Sequence, residues 1–297
     1  MRHSHIFLLL AFCSLVAGAC TKSIEFDGET RESKLVINSL FNTEDTFKLH
    51  VSNSLALVDA GDLKPVEDAV VKVYDDADQL VATPTHSHSG LFLAPDFSPE
   101  TKREYKVVVE HPDYKNVEAS DIVPNAVSIS SIDTQRITTA GGWEEYQGKV
   151  KFKDPEGEDN YYMIEVHVTY RYQIDSTTEE VNSYKMYLNT TDPSVPGNDG
   201  LNAVYSDQLV FTDRNFDGKE YEFPVNMEIW AFDGENNNEI ELRLYSLSRT
   251  AYNYFISLDQ YEKTRDNPFA TPVQVFSNVE SGFGIFGGAS SSNIQLK

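Results

Sequence analysis

Alternation of apolar and polar residues with a period of two is the feature that most constrains the fold of this chain. It is clearest from Ile164 to Tyr172, where every second side chain is apolar or aromatic and those between are polar or charged. Successive side chains of a strand point to opposite faces, so this pattern predicts a strand with one buried face. The pattern recurs over 220–229 and 240–244, and shorter alternating runs follow one another from Lys34 onward.

One segment departs from this pattern and is predicted to be a helix. Ser248 is a suitable N-cap, apolar residues then recur at helical spacing as far as Tyr261, and Pro268 lies beyond the end of the run. We therefore predict a helix over about 248–263. In contrast, 189–202 is rich in Pro, Gly, Asp and Asn and is predicted to be a long loop.

Turn residues divide the strand pattern into two regions, with Pro124 and Asn125 between them. Short strands separated by turn residues are typical of β-sandwiches. We predict a mainly β chain with two β-sandwich-like regions of immunoglobulin or transthyretin type. These are an N-terminal sandwich over 34–124 and a C-terminal β-rich domain over 125–297, which contains the helix.

The first twenty residues are typical of an export leader. A basic residue precedes an apolar run over 6–16, and small residues lie directly before Cys20. The apolar run is too short to span a bilayer, and a bacterial lipoprotein signal has this organisation. We predict a lipoprotein signal peptide over 1–19, lipidation of Cys20, and an acidic tether over 20–33. An ordinary signal peptide with an incidental cysteine is the alternative.

Composition supports an exported, membrane-anchored protein. The chain has only two cysteines, Cys13 and Cys20, so after cleavage none is left to form an internal disulfide with Cys20. The formal net charge of -23 argues against nucleic acid as a partner, because binding it requires a basic surface. We expect the protein to contact the membrane through the lipid anchor at Cys20.

The sequence Gly282-Phe283-Gly284-Ile285-Phe286-Gly287 matches a dinucleotide-binding motif by spacing alone. Such a site needs a helix after the glycines and an acidic residue about twenty positions later. The motif is followed by small residues and the chain ends at Lys297. We expect no cofactor and interpret the glycines as part of a tight turn.

A partial calcium loop is present at Asp213, Asn215 and Asp217, with Gly218 following. Calcium binding needs several oxygen ligands in a tight arc. However, Pro224 stands where the bidentate glutamate of such a loop belongs. We expect no metal site and interpret the segment as a hairpin turn, and calcium binding is the alternative that these residues leave open.

No catalytic group of residues is evident. His86 and His88 lie close together, but no third metal ligand is near them in sequence, and they are interpreted as part of an exposed turn. The chain lacks a G-x-S-x-G motif and, after cleavage, a cysteine nucleophile. We therefore predict that the protein is not an enzyme, and a hydrolase with a site built from scattered acids is the last alternative.

Tyrosines are concentrated in the second region. Such clusters either form sugar- or protein-binding faces or fill a sandwich core as cross-strand pairs. The tyrosines concerned are Tyr161, Tyr162, Tyr170, Tyr172, Tyr184 and Tyr187.

Short segments spread over the chain resemble a known family, the Bacteroidota lipoproteins described as domain of unknown function 4249. The resemblance implies a TonB-dependent receptor of the SusC-like class encoded nearby, and it makes the glycine motif and the Asp213 turn structural features of the family. The segments are Cys20, 34–38, 152–155, 160–162, 211–213, 216–218, 248–261, 267–269, 272–273, 277–279 and 282–287.

Together these observations lead to an expected function. We predict a non-catalytic, lipid-anchored protein of the outer membrane that is displayed at the cell surface, and the acidic tether favours this display. We expect it to act as an accessory or ligand-capture partner of a SusC-like TonB-dependent receptor in nutrient uptake. A free-standing surface adhesin or glycan-binding module is the alternative.

Overall fold

The structure is a computed structural model of the chain. It describes residues 32–55, 63–139, 141–174, 178–198, 203–228, 231–232 and 238–296. The leader, Cys20 and nearly all of the predicted tether lie outside the described residues. Within the described ranges, no helix is long and apolar enough to cross a membrane.

The described residues form 18 strands and one helix, which confirms the mainly β prediction. The helix α1 (Arg249–Thr264) lies within a residue of its predicted position. The strands are β1 (Leu35–Phe41), β2 (Phe47–Asn53), β3 (Val70–Asp75), β4 (Leu80–Ala82), β5 (Thr85–His88), β6 (Leu91–Ala94), β7 (Glu104–Glu110), β8 (Val117–Ile122), β9 (Ile129–Thr138), β10 (Glu144–Lys153), β11 (Tyr161–Gln173), β12 (Glu179–Lys185), β13 (Leu188–Thr190), β14 (Val204–Ser206), β15 (Leu209–Thr212), β16 (Glu220–Glu228), β17 (Glu239–Leu247) and β18 (Phe283–Gln295).

These strands pair in three sheets. The nine-stranded sheet has the order β12-β11-β17-β18-β1-β2-β6-β5, with β15 also paired with β11. The five-stranded sheet has the order β14-β13-β16-β10-β9, and the four-stranded sheet has the order β4-β3-β7-β8. The nine-stranded sheet therefore combines strands from both halves of the sequence.

Two hydrophobic cores lie between the sheets. The first contains Ile37 and Leu49 of the nine-stranded sheet together with Val73 and Val107 of the four-stranded sheet, all fully buried. The second is formed by the other end of the nine-stranded sheet and by the five-stranded sheet, and it includes the buried face of β11. Sandwich packing of this kind buries the apolar face of each alternating strand.

Strand β18 contributes to both sandwiches. Its first half pairs in parallel with β1, as far as Phe41 opposite Gly288. Its second half pairs antiparallel with β17, beginning with Leu247 opposite Ala289. The described residues from 33 to 54 and from 63 onward belong to one compact unit, and the domain boundary after residue 124 stays a prediction.

Two of the three motif glycines, Gly284 and Gly287, lie within β18, so the tight-turn interpretation was wrong for them, whereas Gly282 lies in the bend before the strand. Gly284 lies within β18 with a φ of +101°, and a Cβ there would be 2.0 Å from the carbonyl oxygen of Ile37. At Gly288, a Cβ would be 2.1 Å from the carbonyl oxygen of Ile122. Only glycine allows neighbouring backbones to approach this closely.

The start of α1 is fixed by a buried polar contact. The hydroxyl oxygen of Ser248 accepts a hydrogen bond from the N–H of Ala251 at 3.0 Å, which is N-cap geometry. The same hydroxyl donates to Asp121 on β8. Asp121 also accepts from the N–H of Gly288 at 2.8 Å, so one carboxylate connects β8, α1 and β18.

Candidate functional site

Three carboxylates converge where loops meet at one end of the second sandwich. Asp154 follows β10, Asp213 follows β15, and Asp217 lies in the turn before β16. Carboxylate oxygens from these three residues lie within 4.8 Å of one another. Asp154 and Asp213 are buried, whereas Asp217 is exposed, so the cluster opens to solvent on one side.

Backbone N–H groups hold the three carboxylates in place. Asp154 accepts from the N–H of Gly218 at 2.9 Å, and Asp217 accepts from that of Gly157 at 2.8 Å. Asp213 accepts from the N–H of Asn160 at 2.8 Å. The buried hydroxyl of Tyr162 also donates to Asp154. The cluster therefore ties the 154–160 loop to the 213–218 turn.

The electrostatics of the cluster favour a bound proton or cation. Burial raises the pKa of Asp154 above its usual range, and the neighbouring Asp213 and Asp217 raise it further, against hydrogen bonds that lower it. Burial likewise raises the pKa of Asp213, and Asp217 adds to the effect. Close carboxylates repel one another, and a hard cation bound by their oxygens would relieve that repulsion.

The structure brings together two of the three residues of the partial calcium loop. Asp213 and Asp217 belong to the cluster, and Asp154 is a third carboxylate that sequence spacing missed. Asn215, which lies between the two loop aspartates, is exposed. Asp154 lies 59 positions before Asp213, and no local motif joins the two. The absence of a metal site here stays a prediction, with calcium binding as its alternative.

Four segments that gave the chain its family resemblance meet at this cluster, namely 152–155, 160–162, 211–213 and 216–218. A family model described as Domain of unknown function (DUF4249) matches residues 21–295. The chain belongs to the DUF4249 family. A search of curated proteins finds no match.

Aromatic packing explains the local shape of this DUF4249 protein at the cluster. The rings of Phe216 and Tyr221 stack with centroids 3.8 Å apart. Phe211 and Phe223 stack at 4.3 Å, and Phe152 packs edge-on against Phe216. These buried rings hold the segments from which the carboxylates project.

The histidine pair of this DUF4249 chain lies on the short strand β5. Both His86 and His88 are exposed. The nearest acidic group to His86 is Glu67, with a distance of 4.0 Å between Nε2 and the carboxylate. Neither histidine belongs to a group of potential metal ligands within the described ranges.

The six tyrosines concentrated in the second region of the DUF4249 chain include both buried core residues and exposed surface residues, the two roles that the sequence left open. Tyr162 is fully buried in the second core, whereas Tyr172 and Tyr187 are exposed and Tyr161, Tyr170 and Tyr184 are half-buried. The ring of Tyr187 stacks on that of Tyr205, with centroids 6.4 Å apart and an angle of 20°. Tyr205 was not predicted, because it lies on the three-residue strand β14, just after the predicted loop, and no longer alternating run marks it in the sequence.

Proposed function

We propose that this DUF4249 protein is a non-catalytic lipoprotein anchored in the outer membrane through Cys20. In this role it acts as an accessory or ligand-capture partner of a SusC-like TonB-dependent receptor. The observation that carries the proposal is the leader, in which an apolar run and small residues end at the only cysteine of the mature chain. Family membership supports it, because the resemblance to DUF4249 implies that a SusC-like receptor is encoded nearby.

The surface of the described residues supports a role in binding. Phe269 is 96% exposed in the turn after α1, and Trp143 is 76% exposed at the turn between β9 and β10. Aromatic residues are enriched in the buried centres of protein interfaces. Large side chains that project into solvent are suited to contact a receptor or its ligand.

Co-purification tests the receptor partnership. We would tag the full-length protein in its native bacterium, extract it with mild detergent and identify retained proteins by mass spectrometry. We expect a large β-barrel receptor to be retained. A matched Cys20→Ala variant should be absent from the membrane fraction and should not retain the receptor. Repeated purification of the wild-type protein without a receptor would refute the partnership.

A second candidate function is that of a free-standing glycan-binding module. The stacked and exposed pair Tyr187 and Tyr205 favours it, because aromatic faces bind the apolar faces of sugar rings. Deletion of the neighbouring receptor gene separates the two candidates. A free-standing module would keep its binding to cell-surface or soluble glycans in that strain, and a dependent accessory would lose it.

A further inference from the structure

A row of amide side chains crosses the outer face of the five-stranded sheet. The residues are opposite one another in register, Gln135 with Gln147, Gln147 with Asn226, and Asn226 with Asn189. Asn189 is in turn opposite Tyr205 on the edge strand β14. The other face of these strands, with Val150, Phe223 and Val225, lies in the second core, so the row faces away from it.

Hydrogen bonds connect the amides head to tail. The amide nitrogen of Gln135 donates to Gln147 at 3.1 Å, and that of Gln147 donates to Asn226 at 3.2 Å. Asn226 then donates to Asn189 at 2.9 Å. Asn189 donates to the carboxylate of Glu145 at 3.5 Å. A carboxylate accepts only, so Glu145 fixes the direction of the whole chain.

The connected amides keep hydrogen-bonding capacity for a ligand. Each amide has two donor hydrogens and two acceptor lone pairs, and the chain uses one donor of each. At its end, the second carboxylate oxygen of Glu145 is buried and has no hydrogen-bond partner among the described residues. Hydrogen bonds in a chain polarise one another, which strengthens the free donors and acceptors.

Concave and aromatic surfaces lie at opposite ends of the row. At the β9 end, a depression of about 190 Å³ is lined by Gln135 and Gln147 with Asp133, Thr134 and Lys149. At the β14 end, the stacked rings of Tyr187 and Tyr205 are 53% and 56% exposed. The five strands between these ends span ~19 Å.

We propose that this face binds a neutral oligosaccharide laid across the strands. Amides match sugar hydroxyls, which both donate and accept, and the tyrosine faces match the apolar faces of sugar rings. The spacing of adjacent strands is also close to the length of one sugar ring. A peptide would instead pair with a strand edge through its backbone.

Charge selects the neutral class of ligand. Lys151 on this face is paired with Asp133 at 2.8 Å and with Glu222 at 3.3 Å. Its positive charge is therefore already compensated. Lys149, which lines the depression, lies opposite Asp133 in register, so a carboxylated or sulfated glycan would face acidic neighbours of both lysines. The inference rests on the ligand-capture part of the proposed function.

The test uses the purified full-length protein in detergent, without a receptor. We would titrate it with maltohexaose, cellohexaose, xylohexaose and mannohexaose by isothermal calorimetry, and with hyaluronan oligosaccharides as an anionic probe. We expect at least one neutral hexasaccharide to bind. Tyr205→Ala should weaken its binding about tenfold, because an aromatic stacking contact contributes up to about 1.5 kcal/mol. Gln135→Ala should weaken it about fivefold through loss of one hydrogen bond.

Matched controls keep the inference open to refutation. Tyr172 is 42% exposed on β11 of the other sheet, so Tyr172→Ala should leave the affinity unchanged. Thermal unfolding verifies that each variant is folded. Absence of binding to every neutral probe, binding of the anionic probe alone, or an affinity unaffected by both Tyr205→Ala and Gln135→Ala would each overturn the inference. Because no receptor is present, none of these results depends on the co-purification.

Discussion

The buried carboxylate of Asp121 gives the most discriminating test of how the fold is held together. Its Oδ2 accepts hydrogen bonds from the hydroxyl of Ser248, which caps α1, and from the N–H of Gly288 on β18. Replacement by alanine leaves both buried donors without an acceptor. An unsatisfied buried polar group costs about 1–3 kcal/mol, so the loss of the acceptor for two donors in Asp121→Ala should lower the free energy of unfolding by about 2–6 kcal/mol.

The matched control is Asp121→Asn. One amide oxygen placed at the position of Oδ2 accepts from both donors, so this variant should lie within about 1 kcal/mol of the wild type. Thermal unfolding followed by circular dichroism measures the difference. With about 2–4 °C per kcal/mol for a chain of this size, alanine should lower the melting temperature by about 4–24 °C. Equal melting temperatures for the two variants would refute the reasoning.

The pH dependence provides a second readout at the same residue. Burial raises the pKa of Asp121 above its usual value of 3.8, although hydrogen bonds from Ser248 and Gly288 lower it in part. A raised pKa in the folded state means that the protonated form is favoured. The contribution of Asp121 to stability is therefore fully present below the usual value and is lost as the pH rises through the raised one. Asp121→Asn has no such charge, so its stability relative to the wild type should increase over that pH range.

Three further predictions address the packing, the charges and the carboxylate cluster. Gly284→Ala should destabilise the protein by at least about 2 kcal/mol in guanidinium unfolding, because its Cβ would overlap the backbone of β1. The control is Gly142→Ala, since Gly142 also has a positive φ but a Cβ there would have no atom within 4 Å, and it should cost only about 1 kcal/mol. Equal destabilisation by the two substitutions would contradict the overlap. Burial acts to raise the pKa of Glu165, but hydrogen bonds from His167 and Lys185 outweigh it and lower the pKa. Glu165→Gln should therefore lower the free energy of unfolding by about 1–3 kcal/mol at pH 7. This difference from the wild type should disappear as the pH falls below the usual value of 4.5 and through the lowered pKa. A difference that persists in acid would contradict the prediction. If the carboxylate cluster binds calcium, a hundredfold excess over the dissociation constant should stabilise the wild type by about 2.7 kcal/mol and Asp217→Asn by less, whereas an unchanged melting temperature would favour the turn.

Much of the secondary structure was predictable because its cause is local. In β11, Ile164, Val166 and Val168 are fully buried as their alternation predicts, but Met163 and Glu165 on the opposite face are buried as well. The helix begins after Ser248 because the cap and the apolar spacing lie within one short segment. The predicted loop over 189–202 was wrong at its start, where β13 occupies Leu188–Thr190. Asn is disfavoured in strands, and pairing with β14 and β16 overrides that preference.

The candidate sites were predictable only in part. Asp213 and Asp217 were found because they lie four positions apart, whereas Asp154 joins them through the packing of two separate loops. The amide row was missed altogether. Its members come from four different strands, and nothing in the sequence around Gln147 or Asn226 distinguishes them from other polar residues on exposed strand faces.

By itself, the sequence determined the mainly β character, the position of the helix and the prediction of a lipid anchor at Cys20, since each depends on residues close together in the chain. The tertiary structure decided which strands are neighbours and in what register. It placed β18 between β1 and β17, where its glycines allow close backbone approach. It also aligned the amides from Gln135 to Asn189 across the outer face of a sheet. Strand order and register arise from packing between distant segments, which a period-two pattern leaves undetermined.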